Sequence, residues 1–270
     1  MTVLELVCLV VVVAWLVLRL GRAPDRPALL RQFLAIAVAA FVGEDTCIRL
    51  YGFYFYARDR WGVFVDEVPL LILLIWPVVV TSALDLARGL KVTPRRLPLL
   101  LLVLVVVDAW FIEPIAADAG LWTWTHPGPF DVPVIGVLGW GCFAAGFGVV
   151  VARGWPLWSS VIVAPLLCHA ALLLLWWGAL RWLPSSSSDL VPAVAVWIVA
   201  LLVVALVVKE RPSGLRPLVV LRVPAAFFFF GLLWLHADVD DDRLLLVWSL
   251  AFAPPWLALM VLSPSSSSSS

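Results

Sequence analysis

The chain has 270 residues, of which 64% are apolar and only 13% charged, with a mean hydropathy of +1.07 and no formal net charge. That balance excludes a water-soluble domain, which would need far more polar surface, and the lack of a basic patch with interleaved aromatics excludes a nucleic-acid partner. Apolar runs long enough to cross about 30 Å of hydrocarbon recur from end to end, so the expectation is an integral membrane protein, an all-α polytopic transmembrane bundle.

About nine helices are expected, within a range of seven to nine, near residues 3–20, 31–50, 66–87, 97–114, 132–152, 156–180, 190–208, 219–237 and 243–262. The first run, TVLELVCLVVVVAWLVL, has neither a basic segment before it nor a cleavage site after it, and reads as a span rather than a signal peptide. Linkers such as GRAPDRP, RGLKVTPRR, RGWP, KERPSG and ADVDDDR punctuate the runs with Pro, Gly and charge. The last two runs contain Pro224 and Pro254-Pro255, which membrane helices tolerate. Residues 1–264 form one domain; the serines at 185–188 and the polyserine tail at 265–270 are assigned no function. Cys8, Cys47, Cys142 and Cys168 form no CxxC pair and read as small hydrophobes.

Charge sets the expected orientation. Alternate loops hold Arg19, Arg22, Arg26 and Arg31; then Arg88, Lys91, Arg95 and Arg96; then Arg153; then Lys209, Arg211, Arg216 and Arg222. These are 13 of the 18 basic residues, and they place the N-terminus outside and the C-terminus in the cytoplasm of a bacterial or archaeal cell membrane. Most acids, among them Glu44, Asp66, Glu113 and the 238–242 run, read toward the outer edge.

Several polar residues sit where they are costly. Glu44 and Asp45 lie over a turn before the second helix runs out, and Asp45 can pair with Arg49 four residues on as a structural ion pair. Glu44 has no partner on its own helix; it is either a packing hydrogen bond or a site. Tyr51, Tyr54 and Tyr56, the only tyrosines, follow at once and form either a headgroup belt or a cavity wall. Asp108 falls inside the fourth apolar run with no local base, and Glu113 follows just before Pro114; five residues apart, they point about 140° apart around a helix. Trp122, Trp124 and His126 alternate in GLWTWTHPGPF, so extended chain would turn all three to one side. His169, within an apolar run, reads as a bundle residue. Three histidines cannot form a histidine-rich iron cluster, and no metal or other cofactor is expected, although acids could hold magnesium. Acids ringed by aromatics suit an apolar substrate whose reaction passes through a cation, protonated by a carboxylic acid and then hydrated, cyclised or deprotonated.

Two blocks carry a resemblance: GEDTCIRLYGFYFYARDRWGVFVDEVPLLILLIW and DAWFIEPIAADAGLWTWTHPGPFDVPVIGVLGW. Glu44, Thr46, the Gly52/Tyr54/Tyr56 stretch, Val68-Pro69 and Trp76 in the first, and Asp108, Pro114, Gly120, Trp122, Trp124, Val132-Pro133 and Gly139-Trp140 in the second, resemble the membrane carotenoid-biosynthesis family that includes bisanhydrobacterioruberin and gamma-carotene hydratases. The likeness covers residues 43–141, with Glu67 where the family usually has Gly and Val137-Leu138 where it usually has Asn-Phe. It implies hydration of the terminal 1,2 double bond of an acyclic carotenoid. Asp108 or Glu44 would donate the proton, with Glu113 a further catalytic acid, and Tyr51, Tyr54, Tyr56, Trp122, Trp124, Trp140 and His126 would bind the end group. The implied partners are an apolar isoprenoid substrate, the lipid bilayer and other enzymes of the pathway. A membrane isoprenoid cyclase, or a non-enzymatic transporter or assembly protein, is the alternative.

Overall fold

The computed structural model describes residues 2–182, 188–236 and 243–263; the acidic run at 238–242 and the serines at 185–187 and 265–270 lie outside these. Among the described residues the chain is mostly helical. The helices are α1 (Val3–Arg22), α2 (Arg26–Tyr51), α3 (Leu70–Gly89), α4 (Leu97–Asp118), α5 (Val134–Arg153), α6 (Ser160–Gly178), α7 (Leu190–Glu210), α8 (Arg216–Val220), α9 (Val223–His236), α10 (Arg243–Leu250) and α11 (Ala253–Leu262). Among the described residues, eight helical stretches are long and apolar enough to cross a membrane: α1, α3, α4, α5, α7 and residues 157–182, 216–236 and 243–262. This is an integral membrane protein. The ninth long helix, α2, packs between α3 and α6.

Each expected helix has a counterpart, with three departures. First, the chain is not purely α. Strand β1 (Tyr54–Tyr56) pairs antiparallel with β4 (Trp122–Trp124), and β2 (Phe64–Val65) with β3 (Val68–Pro69). Second, α3 starts at Leu70 rather than near residue 66, because Asp66 takes a left-handed turn (φ 55°) and folds residues 64–69 into a hairpin. Third, each of the last two runs is broken. Proline lacks an N–H and clashes with the preceding turn, so Pro224 divides α8 from α9 and Pro254-Pro255 divides α10 from α11.

The most enclosed span is α3, against which α1, α2, α4 and α8 pack. Small residues let α5 wedge between α4 and α6. A Cβ on Gly148 would lie 2.9 Å from the Cα of Pro98 on α4, and one on Gly146 would lie 2.7 Å from the Cα of Ala164 on α6.

Two polar ties fix the ends of α1. At its start Thr2 and Glu5 form a capping box, and Glu5 Oε1 also accepts from the backbone N–H groups of Gly62 (2.8 Å) and Val63 (3.2 Å). The beginning of α1 therefore lies at the end of the bundle that carries the strands. At the other end Arg19 donates to both carboxylate oxygens of the buried Asp85 on α3, at 2.7 and 3.0 Å. Asp85 thus lies among the basic residues, away from the outer edge where most acids were expected.

Candidate active site

The site grows from the way α2 ends. Gly52 adopts a left-handed conformation (φ 59°), stops the helix and turns the chain into β1. Side chains alternate along a strand, so Tyr54 and Tyr56 turn inward while Phe55 stays exposed. The partner strand is in register: Tyr54 lies opposite Trp124 and Tyr56 opposite Trp122. Backbone bonds from Ala57 N–H to Leu121 (3.1 Å) and from Thr125 N–H to Phe53 (2.8 Å) extend the pairing on either side.

Beneath the ribbon lie two buried carboxylates. Glu44 Oε2 accepts from the hydroxyls of Tyr54 and Tyr56 (3.0 Å to the latter), and Oε1 accepts from the indole N–H of Trp76 on α3 at 2.8 Å. Glu113 on α4 is 2% exposed, and its Oε2 accepts from the indoles of Trp122 (2.7 Å) and Trp124 (3.0 Å), with Trp140 as a further indole donor. Each strand serves the acid on the helix that leads into it: β1 the acid on α2 and β4 the acid on α4. Burial, and then the neighbouring Glu44 carboxylate, hold the phenols of Tyr54 and Tyr56 well above the usual tyrosine range, so both remain donors.

Glu44 and Glu113 line one cavity of about 60 Å³, enough for a few water molecules. Its walls are aromatic: Trp76 packs against Trp140 at 4.6 Å and Phe143 at 4.7 Å between ring centroids. Half-buried Trp124, Trp140 and His169 stand at its rim. A Cβ on Gly136, at the start of α5, would fall 2.4 Å from the Trp124 ring, so the bare glycine makes room for that indole.

His169, expected to be a bundle residue, lines the cavity. Its Nε2 lies 2.7 Å from Thr46 Oγ1, and the Thr46 hydroxyl donates to the Val42 carbonyl. A hydroxyl carries one hydrogen, so Nε2–H must donate to Thr46, leaving Nδ1 with a lone pair. Among the described residues that buried Nδ1 has no partner.

Other candidates lie elsewhere. Tyr51 packs on Phe53 (5.3 Å) and edge-on to His169 (5.4 Å), and His126 packs on Trp176 (4.6 Å) beside Thr125; neither lines the cavity. Asp45 lies 3.0 Å from Arg49, which also pairs with Asp66, and Asp45 accepts from the Glu67 N–H at 3.3 Å; this group ties the hairpin to α2. Asp108 does not share the cavity with Glu113. Its expected isolation is corrected by Arg222, 114 residues away, which donates to it from the break between α8 and α9. Arg222 is thus no loop charge but is drawn into the bundle.

Comparison with known proteins adds one match. The sequence profile of a family described as Carotenoid biosynthesis protein fits residues 1–209, a stretch that holds both cavity acids, the ribbon and nearly all of α7. No curated protein and no solved structure matches the chain. With more than half of its length matched, the chain belongs to the carotenoid biosynthesis protein family.

Proposed function

We propose that the protein is an enzyme adding water across the terminal 1,2 double bond of an acyclic carotenoid, with Glu113 and Glu44 as the acid–base pair. The observation that carries this reading is that two buried carboxylates share one aromatic-walled cavity, each held by O–H or N–H donors that bear no charge. Glu44 takes donors on both oxygens, which suits it to remain a carboxylate. The indoles of Trp122 and Trp124 both fall on Glu113 Oε2, and the transferable proton is assigned to Oε1.

In the proposed reaction Glu113 gives its proton to C2 of the alkene, and the π electrons form the new C–H bond. The tertiary cation at C1 faces the rings of Trp76 and Trp140, whose π faces stabilise positive charge. Water bonds to C1 through oxygen, and its spare proton passes to Glu44. Transfer of that proton back to Glu113 restores the site, for a net gain of one water. His169 Nδ1 is a candidate acceptor for the incoming water's hydrogen. The rim residues Trp124 and Trp140 must give way for the chain end to enter.

The bias of basic residues supports an orientation with the ribbon end and the N-terminus outside a bacterial or archaeal cytoplasmic membrane, and the substrate would arrive through the lipid. The test is expression in cells that accumulate lycopene, with product mass measured by chromatography and mass spectrometry. A gain of one water, lost in Glu113→Gln and Glu44→Gln, is the expected result. An unchanged mass with altered retention would mean cyclisation instead, and full hydration in both variants would overturn the assignment of the acids.

A further inference from the structure

A larger cavity, about 270 Å³, lies between α3, α4, α9 and α11. Most of its wall is apolar, with Phe111, Phe229, Phe230 and Phe252 prominent, and its charged groups are Asp108 and Arg222. The guanidinium donates through Nη2 to Asp108 Oδ1 and stacks 4.6 Å from the Trp256 ring centroid. Among the described residues, its buried Nη1 has no hydrogen-bond partner. A buried N–H of a charged group without an acceptor is costly, and natural structures seldom leave one.

We propose that this cavity is a second ligand site, selective for an isoprenoid or lipid alcohol whose hydroxyl docks on Arg222 and Asp108. A hydroxyl is at once acceptor and donor: it takes the Nη1 hydrogen and gives its own to Oδ2, the Asp108 oxygen that Arg222 leaves free. A ketone satisfies only the first of these, and a hydrocarbon neither. An anion would satisfy Arg222 but meet the Asp108 charge, and the ion pair is already neutral as it stands. The phenylalanine wall accepts an apolar remainder. Exposed Phe227 and Leu257 mark a mouth on the outer, lipid-facing side of α9 and α11, so the ligand enters from the bilayer. Arg222, α9 and α11 lie beyond the family match at 1–209, and this site does not depend on the chemistry proposed at Glu44 and Glu113.

The experiment measures binding of tritiated geranylgeraniol to the full chain in nanodiscs, with three unlabelled competitors of the same chain length: the alcohol, the hydrocarbon and the carboxylic acid. The alcohol should bind saturably and compete about ten-fold or more better than the hydrocarbon or the acid. Ala226→Trp adds an indole to the cavity wall and should abolish binding. The pair replacement Asp108→Leu with Arg222→Met keeps volume while removing both charges; it should retain the fold, judged by its melting curve, and lose the preference for alcohol over hydrocarbon. Equal competition by the hydrocarbon, stronger competition by the acid, or undiminished binding in Ala226→Trp would overturn the proposal. Because no turnover is read, its failure is separate from failure of the hydratase assignment.

Discussion

Glu44 on α2 and Glu113 on α4 face the same cavity, and the hydrogen bonds to their carboxylates come from uncharged phenols and indoles. A lysine or arginine there would fix both as anions; phenol and indole donors orient them while leaving a proton transferable. Asp108 shows the contrast, since the Arg222 guanidinium claims it directly.

Glu113→Gln keeps the shape of the side chain and removes its proton. Hydrated product per unit of membrane protein should fall by about 100-fold or more, the usual range for loss of a general acid or base. Glu44→Gln should do the same. Chromatography of carotenoid extracts, normalised to immunoblotted protein, checks both.

Alkaline pH tests the two tyrosines. Their phenols titrate higher in the folded protein than the ordinary value of about 10. Above that value the unfolded chain releases protons that the native state retains, so stability is full below about pH 10 and falls as pH rises past it. Melting temperature in detergent should therefore decline across that range. Tyr54→Phe should flatten the decline while lowering stability by about 1–3 kcal/mol at neutral pH, because Glu44 loses a donor.

Gly136→Ala adds one methyl against the Trp124 ring. The indole must move, and its 3.0 Å bond to Glu113 goes with it. Activity should drop along with stability, the latter by about 1–3 kcal/mol. Gly146→Ala presses instead on the α6 backbone, away from the cavity, and should lower the melting temperature without changing turnover per folded molecule.

Arg19→Met leaves the buried Asp85 carboxylate unpaired and should cost about 3–5 kcal/mol. Adding Asp85→Leu should recover most of that loss, since a buried ion pair replaced by apolar groups of similar volume is often neutral. Thermal unfolding of the single and double variants measures the difference. An unrecovered double variant would mean that the pair itself, rather than the orphaned charge, holds α1 to α3.

The helices were readable because the apolar runs are long and their ends are punctuated by Pro, Gly and charge. The breaks at Pro224 and Pro254-Pro255 were visible as prolines but not as divided helices. The strands escaped, being two or three residues long; β1 and β4 left only the alternations Tyr-Phe-Tyr and Trp-Thr-Trp. Within the site, Glu44 drew attention as an acid without a partner on its own helix, and the fold supplies that partner from Tyr54, Tyr56 and Trp76. Asp108 and Glu113 were separable by helix geometry alone, and they do line different cavities. Arg222 was counted with the loops because nothing local says that a residue in RVP will meet an aspartate 114 positions earlier. His169 had no signal beyond its type, since its role depends on Thr46 from another helix.

The register of β1 on β4 has a mechanical consequence. The strand that arms Glu44 is clamped to the strand that arms Glu113, so the two acids share one gauge. A slip of β4 by a single residue would turn Thr123 inward and take both indole donors away from Glu113. One residue inserted between Gly120 and Trp122, where α4 hands over to β4, would force that slip and leave the acid on α4 without its indoles.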